Sequence, residues 1–200
     1  MNVTFYIVNA RHLAGHREEA LSLLPPKRRA AAETKMRESD CLLQCAAGLL
    51  LRHVLVVSEA HFTIGEFGKP SLEHGPHFSL SYSGDYAVLA VADDVVGADV
   101  EKLVRPDVLP RKMLTGEEMA WLDEHTSGED YCLLWTRLES ALKAEGCGLA
   151  LEKRDFSLLR SGAPWYWDSR IADGHMFTCA AKTPMDITVV ALTDKELLQK

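Results

Sequence analysis

The sequence predicts an α+β protein in which antiparallel sheets are packed with helices, and three observations carry that prediction. Short runs of alternating apolar and polar residues, HFTI, HFSLSY, YAVLAVAD and VVGADVE, are separated by turn residues and read as strands. Two stretches of the chain instead repeat their apolar residues at helical spacing. The same grammar, helical text followed by alternating strands, returns loosely in the second half without a sequence repeat or a low-complexity linker.

Taken in order, Val3, Phe5 and Ile7 alternate with Asn2, Thr4 and Tyr6, so the chain opens with a strand that buries one face. Pro25 and Pro26 precede PPKRRAAAETKMRE, a list of helix formers behind a proline suited to a first helical turn. Ser39 or Asp40 is placed to cap a second helix, whose Leu42, Cys45, Ala46, Leu49, Leu50 and His53 share a face. Tyr86–Ala92 and Val96–Glu101 flank the turn-forming pair Asp93-Asp94, which predicts an antiparallel hairpin. Helical text over 114–124 and 131–145 is followed by strands at HMFTCAA and ITVVALT.

Composition bounds the function. A net charge of −7 excludes a broad nucleic-acid-binding face, which needs lysine and arginine in excess. Cys41, Cys45, Cys132, Cys147 and Cys179 are odd in number, lack a C-x-x-C pair and sit among apolar residues, so they read as reduced core residues of a cytoplasmic protein. The N-terminus lacks the pattern of a signal peptide, and no stretch reaches the roughly 18 apolar residues of a membrane span.

Chemistry concentrates in VGADVEK, residues 96–102. On a strand Asp99 and Glu101 project from the same face, where adjacent anions repel unless a cation or strong donors compensate. One reading is a site for a hard cation such as Mg²⁺, which takes one or two carboxylates and phosphate oxygens. The other is a strand end in solvent beside Lys102. In WTRLESALKAEGCG, residues 135–148, Trp135, Leu138 and Leu142 form an apolar stripe, and Glu139 and Lys143 stand four apart. That pair is either a surface ion pair or a third carboxylate with a cation for phosphate. FGKPSL adds a glycine, one cation and a proline; HFSLSYSGDY places Ser79, Ser81 and Ser83 on one face before Gly84.

In this order FGKP, HFSLSYSGDY, VGADVEK, MLTGEEMAWL and LWTRLESALKAEGCGL closely resemble the 4'-phosphopantetheinyl transferases of the Sfp type, from the PPKRR helix to about Ala181. The resemblance implies two similar α+β halves related by a pseudo-two-fold axis, here 1–97 and 98–200, with coenzyme A in the cleft between them. Two halves in one chain would let a monomer build that cleft. It implies magnesium-dependent transfer of phosphopantetheine from coenzyme A to a serine of an acyl or peptidyl carrier protein, with neither nucleic acid nor membrane as a partner.

By the same resemblance Asp99, Glu101 and Glu139 are metal ligands, and Glu139 is also the general base. Lys143 contacts the diphosphate, Lys69 and Pro70 lie beside the nucleotide, and Ser81 and Tyr82 lie at the phosphates. Lys27 lies near the 3'-phosphate, and Glu118 matches an acidic position of unassigned role.

The departures are specific. Leu138 replaces a lysine, Tyr82 a histidine, Leu42, Leu43 and Gln44 stand where relatives carry an arginine, and Ala30 falls at a commonly basic position. Weakened coenzyme A binding or a modified donor is expected unless Arg28, Arg29, Lys35 or Arg37 compensates. An alternative is therefore a catalytically reduced homologue that binds carrier domains without modifying them. An unrelated metal-dependent hydrolase would need paired histidines, and the eight histidines are read as scattered.

Overall fold

The computed structural model describes residues 1–56, 61–148 and 154–199. The chain runs β1 (Asn2–Asn9), a 3-10 segment (Ala10–His16), α1 (Arg17–Ser22), α2 (Pro26–Glu33), α3 (Glu38–Leu55), β2 (Phe62–Ile64), β3 (Pro70–Leu72), β4 (His77–Ser83), β5 (Tyr86–Ala92) and β6 (Val96–Lys102). It continues through α4 (Gly116–Glu124), α5 (Gly128–Glu145), β7 (Tyr166–Ala172), β8 (His175–Ala181), β9 (Asp186–Ala191) and α6 (Asp194–Leu198).

Two sheets stand face to face. The first has the order β4-β5-β1-β9 and the second β6-β8-β7, while β2 and β3 form a separate small ladder. All pairings are antiparallel except β1 with β9, which run parallel from Asn2↔Asp186 to Ile7↔Ala191. Val3, Phe5, Val88 and Ala90 of the first sheet meet Val96, Ala98, Val100, Phe177 and Cys179 of the second in one buried cluster. On the outer face of the first sheet, Val8, Phe78, Ala87 and Leu89 pack against Cys41, Leu42, Cys45, Leu49 and Leu50 of α3. On the outer face of the second sheet lies α5, whose Ala141 and Ala144 pack with Ala180. The order of layers is thus helix, sheet, sheet, helix. Four of the five cysteines are buried and Cys147 is half-buried, all as free thiols.

The local grammar explains the helix ends. Capping boxes start α4 at Thr115 with Glu118 and α5 at Ser127 with Asp130, each satisfying two backbone donors of a first turn. Gly146 ends α5 in the left-handed region (φ 71°), where a glycine has no Cβ to clash.

Several expectations are corrected by pairing across the chain. The β5–β6 hairpin does not form: β5 lies between β4 and β1, and β6 pairs with β8 from Val96↔Ala181 to Lys102↔His175. β6 is buried at every position from Val96 to Val100, so both its faces need cover, which a two-stranded hairpin cannot supply. β1 also buries both faces, Val3 and Phe5 towards the second sheet and Val8 towards α3. The N-cap of α3 is Arg37, without a side-chain cap, so Ser39 and Asp40 lie inside the first turn. Residue 97 falls within β6, and β9 carries the last part of the chain back into the first sheet. His12 and His16 do stand four apart, but both are exposed, and His16 lies beside the carboxylates of Glu19 and Asp194 at 3.4 and 3.8 Å.

Candidate active site

The site forms where β4, β6 and α5 meet. Gly97, Asp99 and Glu101 point from β6 towards α5, and the missing side chain at Gly97 lets helix and strand approach to backbone contact: a Cβ there would overlap the Ser140 carbonyl oxygen. That approach brings Glu139 and Lys143 over the carboxylates.

Asp99 is 1% exposed. Its Oδ1 lies 2.6 Å from Lys143 Nζ and accepts a hydrogen bond from Ser81 Oγ at 2.7 Å; Lys143 Nζ also donates to Ser81 Oγ at 2.8 Å. Its Oδ2 is buried without a hydrogen-bond partner among the described residues. Glu101 accepts from Ser83 Oγ at 2.6 Å, and the Ala98 amide donates to Ser79 Oγ at 3.0 Å. The three serines of β4 therefore join β6, Ser79 at its backbone and Ser81 and Ser83 at its carboxylates, which they orient. Ser81, expected at the phosphates, is buried and spends its hydroxyl on Asp99.

Electrostatics bind the three carboxylates together. Burial raises the Asp99 carboxyl, with Lys143 and Ser81 opposing. Burial and then the Asp99 charge raise Glu139, which Lys143 offsets; burial also raises Glu101, against the hydrogen bond from Ser83. Tyr131, one turn before Trp135 on α5, is pushed up to about 12 by burial and by Cys132, Glu101 and Glu139.

Among the described residues no three His, Cys, Asp or Glu side chains are gathered into a ready-made metal cage. The donor set nevertheless fits a divalent ion: three mutually repelling carboxylates, all of oxygen type, and an orphaned buried oxygen on Asp99.

Beside this centre opens a cleft of about 1700 Å³. Lys27, Lys69, Pro70, Tyr82, Glu139 and Lys143 line it. Lys69 Nζ donates to the Ala144 carbonyl at 2.8 Å, tying its loop to the end of α5, and burial lowers its ammonium pKa. Arg28, Gln44, Arg52 and His53 line the cleft too. Arg52 and His53 escaped sequence reasoning because on α3 they merely continue the basic end of a helix; only the tertiary fold, which lines one cleft with them and with Phe62, Ile64 and Pro70, turns that end into a cleft wall. Among the proposed compensators Arg28 reaches the cleft, whereas Arg29 pairs with Glu33 at 2.9 Å.

One of the departures has a structural explanation. Leu138 is fully buried with Leu122, Leu134, Leu142 and Leu158, so the position faces the core. Glu118 is also fully buried, completes the α4 capping box, pairs with Arg154 and accepts the Leu158 amide at 2.8 Å. Its role is to hold α4 and the segment from Arg154 to Leu158 together.

Residues 95–175, from β6 through α5 to the start of β8, match the model of the 4'-phosphopantetheinyl transferase superfamily. The chain is 29% identical over 203 residues to the 4'-phosphopantetheinyl transferase Sfp of Bacillus subtilis (strain 168), covering 87% of this chain and 90% of that protein. It is 29% identical to the 4'-phosphopantetheinyl transferase gsp of Aneurinibacillus migulanus over 48% of this chain and 42% of that protein. It is 33% identical to the 4'-phosphopantetheinyl transferase ffp of Bacillus subtilis over 50% of this chain and 48% of that protein. Over β6, α5 and the segment between them the chain is thus similar to the 4'-phosphopantetheinyl transferase superfamily, the class whose model it matches. Along most of its length it is similar to the transferase Sfp.

Proposed function

We propose that this protein transfers 4'-phosphopantetheine from coenzyme A to a serine hydroxyl of an acyl or peptidyl carrier protein, with magnesium, as a cytoplasmic monomer. The observation that carries this reading is the meeting of Asp99, Glu101, Glu139 and Lys143 beside a cation-lined cleft.

Each side chain has a task suited to its surroundings. A serine hydroxyl is a weak nucleophile until a base takes its proton. Glu139, raised by burial and by its anionic neighbours, holds a proton better than an exposed glutamate and suits that task. Lys143 and Lys69 border the cleft as cations for a diphosphate, and Lys27, Arg28 and Arg52 form a second cationic wall. A divalent ion held by Asp99, Glu101 and Glu139 would neutralise charge growing on the leaving phosphate.

The docking-only alternative draws on Tyr82, which lines the cleft uncharged where the resemblance implies a histidine. Arg28, Arg52 and His53 on the cleft wall favour donor binding instead. Intact-mass spectrometry of a panel of apo carriers with coenzyme A and Mg²⁺ decides: transfer adds phosphopantetheine to at least one carrier. Unchanged masses throughout, with folded protein and saturating coenzyme A, would overturn transfer and favour the docking-only alternative.

A further inference from the structure

The two oxygens of Asp99 have different fates. Oδ1 is held by Lys143 and Ser81, while Oδ2 is buried and unpartnered. Lys143 itself keeps 31% of its side chain exposed and lines the cleft, so it belongs at once to the carboxylate centre and to the donor site. A buried carboxylate next to two further anions needs a cation, and Lys143 is the ion-paired partner of Asp99 in this state. A lysine and a divalent ion cannot crowd the same carboxylate without strong mutual repulsion.

We propose that Lys143 is a resident counter-cation that a divalent ion displaces from Asp99, and that its release turns the ammonium towards the anionic donor. The proposal rests on the metal reading given above and adds an exchange to it. The four-carbon stem of lysine and its three rotatable donors permit the swing by side-chain rotation alone. Metal and donor then bind with positive coupling, because the ion frees the group that the donor needs.

The consequence is a pair of effects of opposite sign from one substitution. In Lys143→Met the ion meets no competitor, so Mg²⁺ binds about tenfold tighter in the absence of coenzyme A and raises the melting temperature more than in the natural protein. The same variant binds coenzyme A more weakly. Calorimetric titration with Mg²⁺ alone and with coenzyme A alone, together with melting curves with and without Mg²⁺, reads both. A merely structural lysine would weaken both ligands together.

A second measurement needs no variant. Amine acylation followed by peptide mass spectrometry on the natural protein reads Lys143 directly, and saturating Mg²⁺ should increase its reactivity several-fold. If Mg²⁺ binds the natural protein but Lys143 reactivity is unchanged, or Lys143→Met binds Mg²⁺ no tighter, the exchange is wrong while the metal reading stands. If Mg²⁺ neither binds nor stabilises either protein, the metal reading falls and takes the exchange with it.

Discussion

Gly97 and Ser140 are in backbone contact: a Cβ on Gly97 would overlap the Ser140 carbonyl oxygen and lie 2.9 Å from the Ala144 amide nitrogen. Because the obstacle is helix backbone, no side-chain rotation makes room. Gly97→Ala must lift α5 from β6, and it is expected to cost about 2 kcal/mol of stability, as overpacking does. The same shift separates Glu139 from Asp99 and Glu101, so transfer should fall about a hundredfold, the scale of an ångström misplacement. Chemical unfolding and a carrier-loading assay check both, and an unchanged unfolding midpoint would contradict the packing argument.

Glu139→Gln separates chemistry from folding. Folding raises the Glu139 carboxyl above its ordinary 4.5, chiefly through burial and Asp99. A raised acid contributes stability at low pH that is lost as pH rises through the folded value, so at neutral pH the ionised side chain opposes folding. The glutamine variant should therefore melt higher than the natural protein at pH 7 without metal, and the gap should close below 4.5. Transfer should be abolished in the same variant. A lower melting temperature at pH 7 would show that Glu139 is structurally required.

Glu118 predicts the reverse. Burial pushes its carboxyl up, but Arg154 and the Thr115 and Leu158 amides more than offset this and hold it below the ordinary 4.5. Its contribution is present above 4.5 and lost as pH falls through the lowered folded value. Glu118→Ala leaves Arg154 buried and unpaired and is expected to cost about 3–5 kcal/mol, the penalty for breaking a buried pair. Urea unfolding at pH 7 measures it, and retention of near-native stability would mean that water replaces the carboxylate.

Arg52 tests whether cations unforeseen from the sequence serve the donor. It lines the cleft and donates to the Gln199 carbonyl at 3.1 Å. Hydrogen bonds to charged groups are worth roughly 1.5–3 kcal/mol, so Arg52→Ala should weaken coenzyme A binding about tenfold or more. Calorimetry reads this, and unaltered affinity would remove Arg52 from the donor site.

Relations between near neighbours in the chain were readable from the letters. Asp99 and Glu101 share a face because strand side chains alternate, Glu139 and Lys143 share one because a helix turns every 3.6 residues, and FGKP, VGADVEK and the Trp135 helix marked a transferase through motif order. Pairings across the chain were not. Asp93-Asp94 reads as a hairpin turn, yet β6 pairs with β8 some 80 residues on, because a strand buried on both faces needs partners that no local turn supplies. Ser81 alternates along its strand in the letters, but its bond to Asp99 exists only once β4 is set against β6. Glu118 has no assignable role until Arg154 arrives beside it, and Arg52 looks like a helix end until a cleft forms over it. Periodicity determines which side chains share a face; only long-range packing decides what that face meets, because burial and charge pairing depend on contacts between distant parts of the chain.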